Sequence, residues 1–99
     1  MDFRDIHRTL LSKLDAVEDR KRDHVFFYFI IDGHEHRATK LSHSARGQMD
    51  DSLVSLVARQ LRLKKQELSS LVDCPLGKEQ FFQLWSERRG WLRSPTYPD

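Results

Sequence analysis

Five histidines are the side chains of this sequence best suited to proton transfer, because imidazole takes up and releases a proton near neutral pH without special tuning. His24 stands at the start of a long apolar segment and follows the cations Arg20–Arg22 and then Asp23. Those cations would hold a polyanion beside the imidazole, which could take a proton from a ribose 2′-hydroxyl or protonate a leaving oxygen. His24 is therefore the candidate catalyst, and a solvated or capping histidine is the alternative.

The other four histidines are weaker candidates for chemistry. His34 and His36 share one face of a predicted strand with Glu35 pointing away, so this pair supplies at most two metal ligands. His7 lies on the first predicted helix as a surface residue, and His43 lies in a basic loop, where side chains often contact ligands. We predict that the protein uses no metal ion and no other cofactor.

Charge is unevenly distributed along the chain, although the formal net charge is only +2. The stretches His36–Met49 and Ser52–Gln66 contain arginine and lysine but no carboxylate. If these stretches converge with Arg20–Arg22, they form a phosphate-binding face; the alternative is a set of solvated surface charges. The predicted RNA-binding side chains are Arg20, Lys21, Arg22, Arg37, Lys40, His43 and Arg46.

The elements that would position these side chains are predicted from the spacing of apolar residues. Helical spacing covers about residues 3–15, and residues 25–31 have the aromatic and β-branched composition of a strand. The turn residues Asp32-Gly33 lead into a returning strand at about residues 35–41, which predicts a hairpin. Residues 16–23 leave room for at most a short edge strand.

The second half of the chain is predicted to be helical. Asp50 or Asp51 caps a helix, and a shorter helix ends before Cys74-Pro75, because proline disfavours helix in the residue before it. A third helical pattern follows Gly77. The apolar residues expected on these three helices are Leu53, Leu56, Val57, Leu61, Leu68, Leu71, Val72, Phe81, Phe82 and Trp85. Cys74 is expected to be a small buried core residue.

Length and composition favour one small domain. A chain of 99 residues can bury one core, so we predict a single α+β domain over residues 1–92 and a flexible tail over residues 93–99. The longest apolar run, Val25–Ile31, falls far short of the roughly 20 residues that span a bilayer. We expect a cytoplasmic protein that does not contact a membrane, and its single cysteine fits a reducing compartment.

The order of these motifs resembles that of the HicA-type (YcfA-like) RNA-cleaving toxins of bacteria and archaea. The matching segments are Asp23–Phe29, the turn Asp32-Gly33, Thr39–His43 and Leu53–Leu61. The resemblance covers roughly residues 3–72. It implies an α-β-β-β-α core like that of the double-stranded-RNA-binding domain, with helices packed on an antiparallel sheet. Residues 73–92 would add further helices.

The resemblance also implies a function, which is ribosome-independent cleavage of messenger RNA without a metal. The family's catalytic histidine falls on His24, and its strand-end histidine falls on His43. Arg22 and Asp23 stand where family members carry glycine and serine, so Asp23 could orient the imidazole. The implied protein partner is a HicB-type antitoxin that covers the active surface.

Two other functions fit the same fold. One is a non-catalytic RNA-binding module, and the other is a protein-interaction domain that uses the aromatic C-terminal helix. The C-terminal helical segment could cover the sheet or the other helices, mediate self-association into a homo-oligomer, or contact a partner. Core packing is the favoured role, because Phe82 and Trp85 share a helical stripe.

Overall fold

The computed structural model describes residues 1–42 and 46–90. Helix α1 (Phe3–Arg8) continues into a π-helical turn (Thr9–Lys13), and the sheet strands are β1 (Val17–Arg20), β2 (His24–Ile31) and β3 (His34–Ser42). Helices α2 (Asp51–Gln60), α3 (Lys65–Val72) and α4 (Lys78–Glu87) follow. The predicted α+β class is confirmed.

The chain divides into two compact units, each with its own secondary structure. The first unit, Met1–Met49, contains α1 and the three strands, and the second begins at Asp50 and contains the three later helices. The single domain predicted for residues 1–92 stays a prediction. Residues 43–45 and 91–99, which include the predicted flexible tail, lie outside the described residues. Within the described part of the chain, no helix combines the length and the apolar character needed to cross a membrane.

The first helix begins where the sequence predicts but changes its hydrogen bonding halfway. Asp2 caps it by accepting a hydrogen bond from the Arg4 backbone N–H at 2.8 Å. From Thr9 onward the turn widens, and the Leu14 N–H donates to the Thr9 carbonyl at 3.0 Å, a π-helical i to i+5 bond. Asp15 then ends the helix in the left-handed region, with φ of +56°.

The sheet is a three-stranded antiparallel meander with β2 in the centre. Residues 21–23 connect β1 to β2, and the Lys21 N–H donates to the His24 carbonyl at 2.8 Å across this turn. Asp32 and Gly33 connect β2 to β3 with φ of +52° and +78°, as expected of a two-residue turn whose twist matches that of the strands. The predicted hairpin and the short edge strand β1 are both confirmed.

Side chains of β2 alternate between the two faces of the sheet. Val25, Phe27 and Phe29 are buried on the face that α1 covers, here called the helix face. The His7 ring of α1 lies edge-on to Phe27 at 5.7 Å between centroids, which places α1 on this side. The opposite face, here called the open face, carries the side chains of His24, Phe26, Tyr28 and Ile30 from β2.

The second unit consists of three short helices. Asp50 caps α2 by accepting from the Leu53 N–H at 2.8 Å, so the first of the two predicted caps is confirmed. After α2 and its C-cap Leu61, Arg62 is a left-handed residue with φ of +61°, and the Leu63 N–H donates to the Ala58 carbonyl at 2.8 Å. α3 ends at Val72, before Cys74-Pro75, as predicted.

Two predictions of burial in the second unit are wrong. Leu56 keeps 46% of its surface exposed, because the buried side of α2 is formed by Val57 and Ala58. Cys74 is exposed, with φ of +84° in the turn after α3, so its thiol is not a core group. On α4 the buried pair is Phe81 and Trp85, four residues apart on one side of the helix.

Candidate nucleic-acid interface

The predicted catalyst and two of the predicted phosphate ligands lie on the same face of the sheet. His24 and Phe26 point to the open face from β2, and Lys40 of β3 is the register partner of Phe26. The Arg37 guanidinium carbon lies over the Phe26 ring, 4.6 Å from its centroid. The His24 and Phe26 ring centroids are 6.2 Å apart. We call these four residues, His24, Phe26, Arg37 and Lys40, the cationic end of the open face.

A β-bulge brings Arg37 and Lys40 to the same face. Residues three positions apart in a regular strand point to opposite faces of a sheet. Here Thr39 pairs with Phe27 and Arg37 pairs with Tyr28, so Ala38 is an extra residue that has no register partner. The bulge therefore places both cations beside the aromatic side chains of β2.

The positive charge at this end is not neutralised by neighbouring carboxylates. Within residues 1–42 and 46–90, neither Arg37 nor Lys40 lies within ion-pair distance of a carboxylate, and both side chains are exposed. Glu35 also belongs to the open face, but its register partner is Ile30, toward the other end of β2. An exposed and uncompensated pair of cations attracts a polyanion.

The remaining predicted phosphate ligands are dispersed. Arg20 lies on the helix face, where its Nε is 2.8 Å from the Glu18 carboxylate, so it does not share a face with His24. The Lys21 Nζ is 3.2 Å from the Asp19 carboxylate, which lowers its net charge contribution. Arg22 is exposed in the turn before β2 and forms no ion pair within the described residues.

Arg46 and His43 belong to the connection after β3. Arg46 is exposed and precedes Gly47, whose carbonyl accepts from the Phe3 N–H at 2.9 Å, so Arg46 is located near the start of α1. His43 lies outside the described residues. The structure thus brings His24, Arg37 and Lys40 together out of the predicted set.

The aromatic and apolar side chains of the open face are the part of the surface that the predicted site does not include. Phe26 and Tyr28 are half-buried, while Val17 and Ile30 keep 49% and 50% of their surface exposed. The seven-residue apolar run has no polar alternation and predicts a strand covered on one face and half covered on the other, which agrees with the half-buried Phe26 and Tyr28. The open face is therefore a mixed aromatic and cationic surface.

The surroundings of His24 differ from those of a histidine oriented by a carboxylate. Among the described residues, no hydrogen bond joins the His24 ring to Asp23 or to another side chain. The histidine that does meet a carboxylate is His7, whose Nε2 is 2.7 Å from Glu18 Oε2 on the helix face. In residues 1–42 and 46–90, no group of three or more His, Cys, Asp or Glu side chains could hold a metal ion.

Comparisons of the chain with protein-family models, with curated proteins and with solved structures found no match. The resemblance to the HicA-type toxins consequently rests on the sequence motifs alone.

Proposed function

We propose that the protein binds RNA at the cationic end of the open face. The observation that carries the proposal is the placement of two exposed cations, Arg37 and Lys40, beside the Phe26 ring with no carboxylate partner among the described residues. Phosphates supply the negative charge that these side chains lack, and bases supply flat surfaces for the aromatic rings.

We further propose that the protein cleaves the RNA it binds, with His24 as the general acid or base. Support comes from the position of His24 at the start of β2, 6.2 Å from Phe26 between ring centroids and on the same face as Lys40. A phosphate held by Lys40 would lie near the imidazole. Attack of the ribose 2′-oxygen on that phosphorus forms a 2′,3′-cyclic phosphate and breaks the P–O5′ bond, and the step requires only removal of the 2′-hydroxyl proton and protonation of the departing 5′-oxygen. This is the metal-independent chemistry implied by the resemblance to HicA-type toxins.

The other consequences of that resemblance belong to the same proposal. They are a core like that of the double-stranded-RNA-binding domain, a cytoplasmic location, and a HicB-type antitoxin as the protein partner. The order α1, β1, β2, β3, α2 is compatible with such a core. A non-catalytic RNA-binding module is the second candidate function, favoured by the lack of a hydrogen-bonded partner for His24 among the described residues.

The test of RNA binding is the dependence of affinity on salt. We expect the affinity of the wild-type protein for RNA to fall steeply with salt, and we expect Lys40→Ala to make the logarithmic slope shallower by about 0.7 for one lost phosphate contact to a single strand. Lys78→Ala is the matched control, because Lys78 is an exposed lysine at the start of α4. Equal slopes for Lys40→Ala and the wild type would remove this residue from the interface.

A further inference from the structure

We infer that the RNA bound at the open face is unpaired, and that its bases stack on Tyr28 and on the Arg37–Phe26 pair. This inference rests on the proposed RNA binding and specifies the class of RNA. The structural basis is the arrangement of two aromatic rings and one guanidinium on a single sheet face.

The faces of RNA bases are accessible to a protein only where the bases are unpaired. In a duplex each base is stacked between its neighbours, so a protein reaches only base edges, the sugars and the phosphates. The open face instead carries two flat aromatic rings, those of Phe26 and Tyr28, and both side chains are only half-buried. Flat side chains of this kind bind the faces of bases, and those faces are free only where the strand is unpaired.

The spacing of the two aromatic side chains also favours an unpaired strand. Phe26 and Tyr28 are alternate residues of β2, so their Cα atoms are roughly 7 Å apart along the strand. Successive bases of a stacked strand are about 3.4 Å apart, which leaves no room for a ring on each base. A strand whose bases are splayed apart can place one base on each side chain.

The Arg37 guanidinium extends the stacking surface. It lies over the Phe26 ring, 4.6 Å from the centroid, and this contact restrains a side chain that is otherwise exposed. A guanidinium is planar and stacks on aromatic groups while it keeps its positive charge. Arg37 can therefore stack with a base and attract the adjoining phosphate at the same time.

Charge on the open face indicates where the RNA backbone runs. Lys40 is the cross-strand partner of Phe26, whereas Glu35 is the partner of Ile30 toward the opposite end of β2. Asp19 is the partner of Phe26 on β1, but its carboxylate is 3.2 Å from the Lys21 Nζ and is thereby compensated. The phosphate next to the base on Arg37–Phe26 is thus expected beside Lys40.

A protein partner is the competing occupant, because Val17 and Ile30 are also exposed on this face. Arg37 and Lys40, which form no ion pair with the described residues, favour the polyanion, since a partner that covered them without a counter-charge would bury two charges at high cost. The two occupants differ in their response to salt, because only phosphate binding releases condensed counterions.

The test compares a short oligouridylate with an RNA duplex of equal length, both 2′-O-methylated so that attack by the 2′-hydroxyl is blocked. Binding is followed by fluorescence anisotropy. We expect the single strand to bind more tightly than the duplex. Tyr28→Leu should weaken single-strand binding by roughly 5- to 150-fold, the loss of one base–aromatic stack, while Tyr28→Phe should retain it.

A second variant keeps the test decisive if Tyr28→Leu does not fold. Arg37→Lys preserves the charge but removes the planar group, and the residue is exposed on an edge strand. We expect weaker single-strand binding with an unchanged salt slope. Equal or tighter binding of the duplex, or full affinity in both Tyr28→Leu and Arg37→Lys, would overturn the inference and leave RNA binding intact. Failure of the wild type to bind either RNA would overturn the proposed function as well.

Discussion

His24 and His7 lie on opposite faces of the sheet and have different surroundings. His7 is 2.7 Å from Glu18 and lies against Phe27, so it connects α1 to β1 on the helix face. His24 has no such partner among the described residues and lies on the open face with Lys40. A carboxylate therefore fixes the His7 ring, whereas no hydrogen bond among the described residues fixes the ring of His24.

The residue-scale prediction concerns catalysis. We expect cells induced to express the wild-type chain to stop growing and to lose intact messenger RNA. His24→Ala should do neither. General acid or base catalysis typically contributes about 10²- to 10⁴-fold to a rate, so cleavage by purified His24→Ala should fall by that factor.

The control for this prediction is His34→Ala, because His34 is an exposed histidine on β3 of the same sheet. We expect His34→Ala to arrest growth like the wild type. If the wild type leaves growth and RNA intact, the cleavage proposal fails and the non-catalytic binding module is the function to pursue.

At the scale of the elements, the β2–β3 hairpin sets the register on which the open face depends. Gly33 has φ of +78°, and no heavy atom lies within 4 Å of the position of an added Cβ. Gly33→Ala therefore adds backbone strain without a clash. We expect it to lower the free energy of unfolding by about 1–2 kcal/mol, as measured by urea denaturation followed by circular dichroism.

Gly90→Ala is the matched control for the turn. An added Cβ at Gly90 also meets nothing within 4 Å, and Gly90 is not among the glycines with positive φ. We expect a change of less than about 0.5 kcal/mol. Equal destabilisation by the two substitutions would show that the left-handed turn is not the source of the effect.

The helices of the second unit are joined by an ion pair that makes their stability depend on pH. The Arg88 guanidinium donates to both Glu67 carboxylate oxygens at 2.7 and 3.0 Å. This hydrogen bonding lowers the pKa of Glu67 below its ordinary value of 4.5, against the opposing effect of burial. A lowered pKa in the folded state means that ionised Glu67 stabilises the fold above pH 4.5 and that this contribution disappears as the pH falls through the folded-state pKa.

We therefore expect Glu67→Gln to destabilise the second unit at neutral pH and to have little effect in acid. The measurement is urea denaturation of both proteins at a series of pH values, followed by tryptophan fluorescence, since Trp85 lies in α4. The control is Glu79→Gln, the same substitution at an exposed position in the first turn of α4. A difference between Glu67→Gln and the wild type that does not change with pH would contradict the assignment.

A second contact within the second unit joins Arg62 to Trp85. Its guanidinium carbon lies 3.8 Å from the centroid of the Trp85 ring, and its Nη1 donates to the Trp85 carbonyl at 2.6 Å. Burial, assisted by the nearby Arg89 charge, lowers the pKa of Arg62. This stacking fixes an arginine at the left-handed position after α2, where glycine is the common residue.

At the scale of the whole molecule, the predictable features are those that depend on a few neighbouring residues. The Asp32-Gly33 turn, the Asp50 cap and the end of α3 before Pro75 each follow from local chemistry, and each is found in the structure. The α+β class follows from the change of apolar spacing between the two halves of the chain.

Features that depend on contacts between distant residues could not be predicted. The bulge at Ala38 decides which β3 side chains share a face with Phe26, and it is set by pairing with β2 rather than by the sequence of β3 alone. The separation of Arg20 from His24 arises in the same way, because strand pairing assigns them to opposite faces. The residues of the candidate site could therefore be proposed from the sequence, but which of them share a face of the sheet could not.

Because the strands and the three later helices belong to different units, RNA binding at the open face should affect one unit more than the other. The most direct measurement is the change in backbone amide NMR chemical shifts of the full-length protein when a short single-stranded RNA is added. We predict the largest changes in residues 24–28 and 37–40, with small changes across α2, α3 and α4. Changes confined to the three helices, or no change at saturating RNA, would contradict RNA binding at the open face.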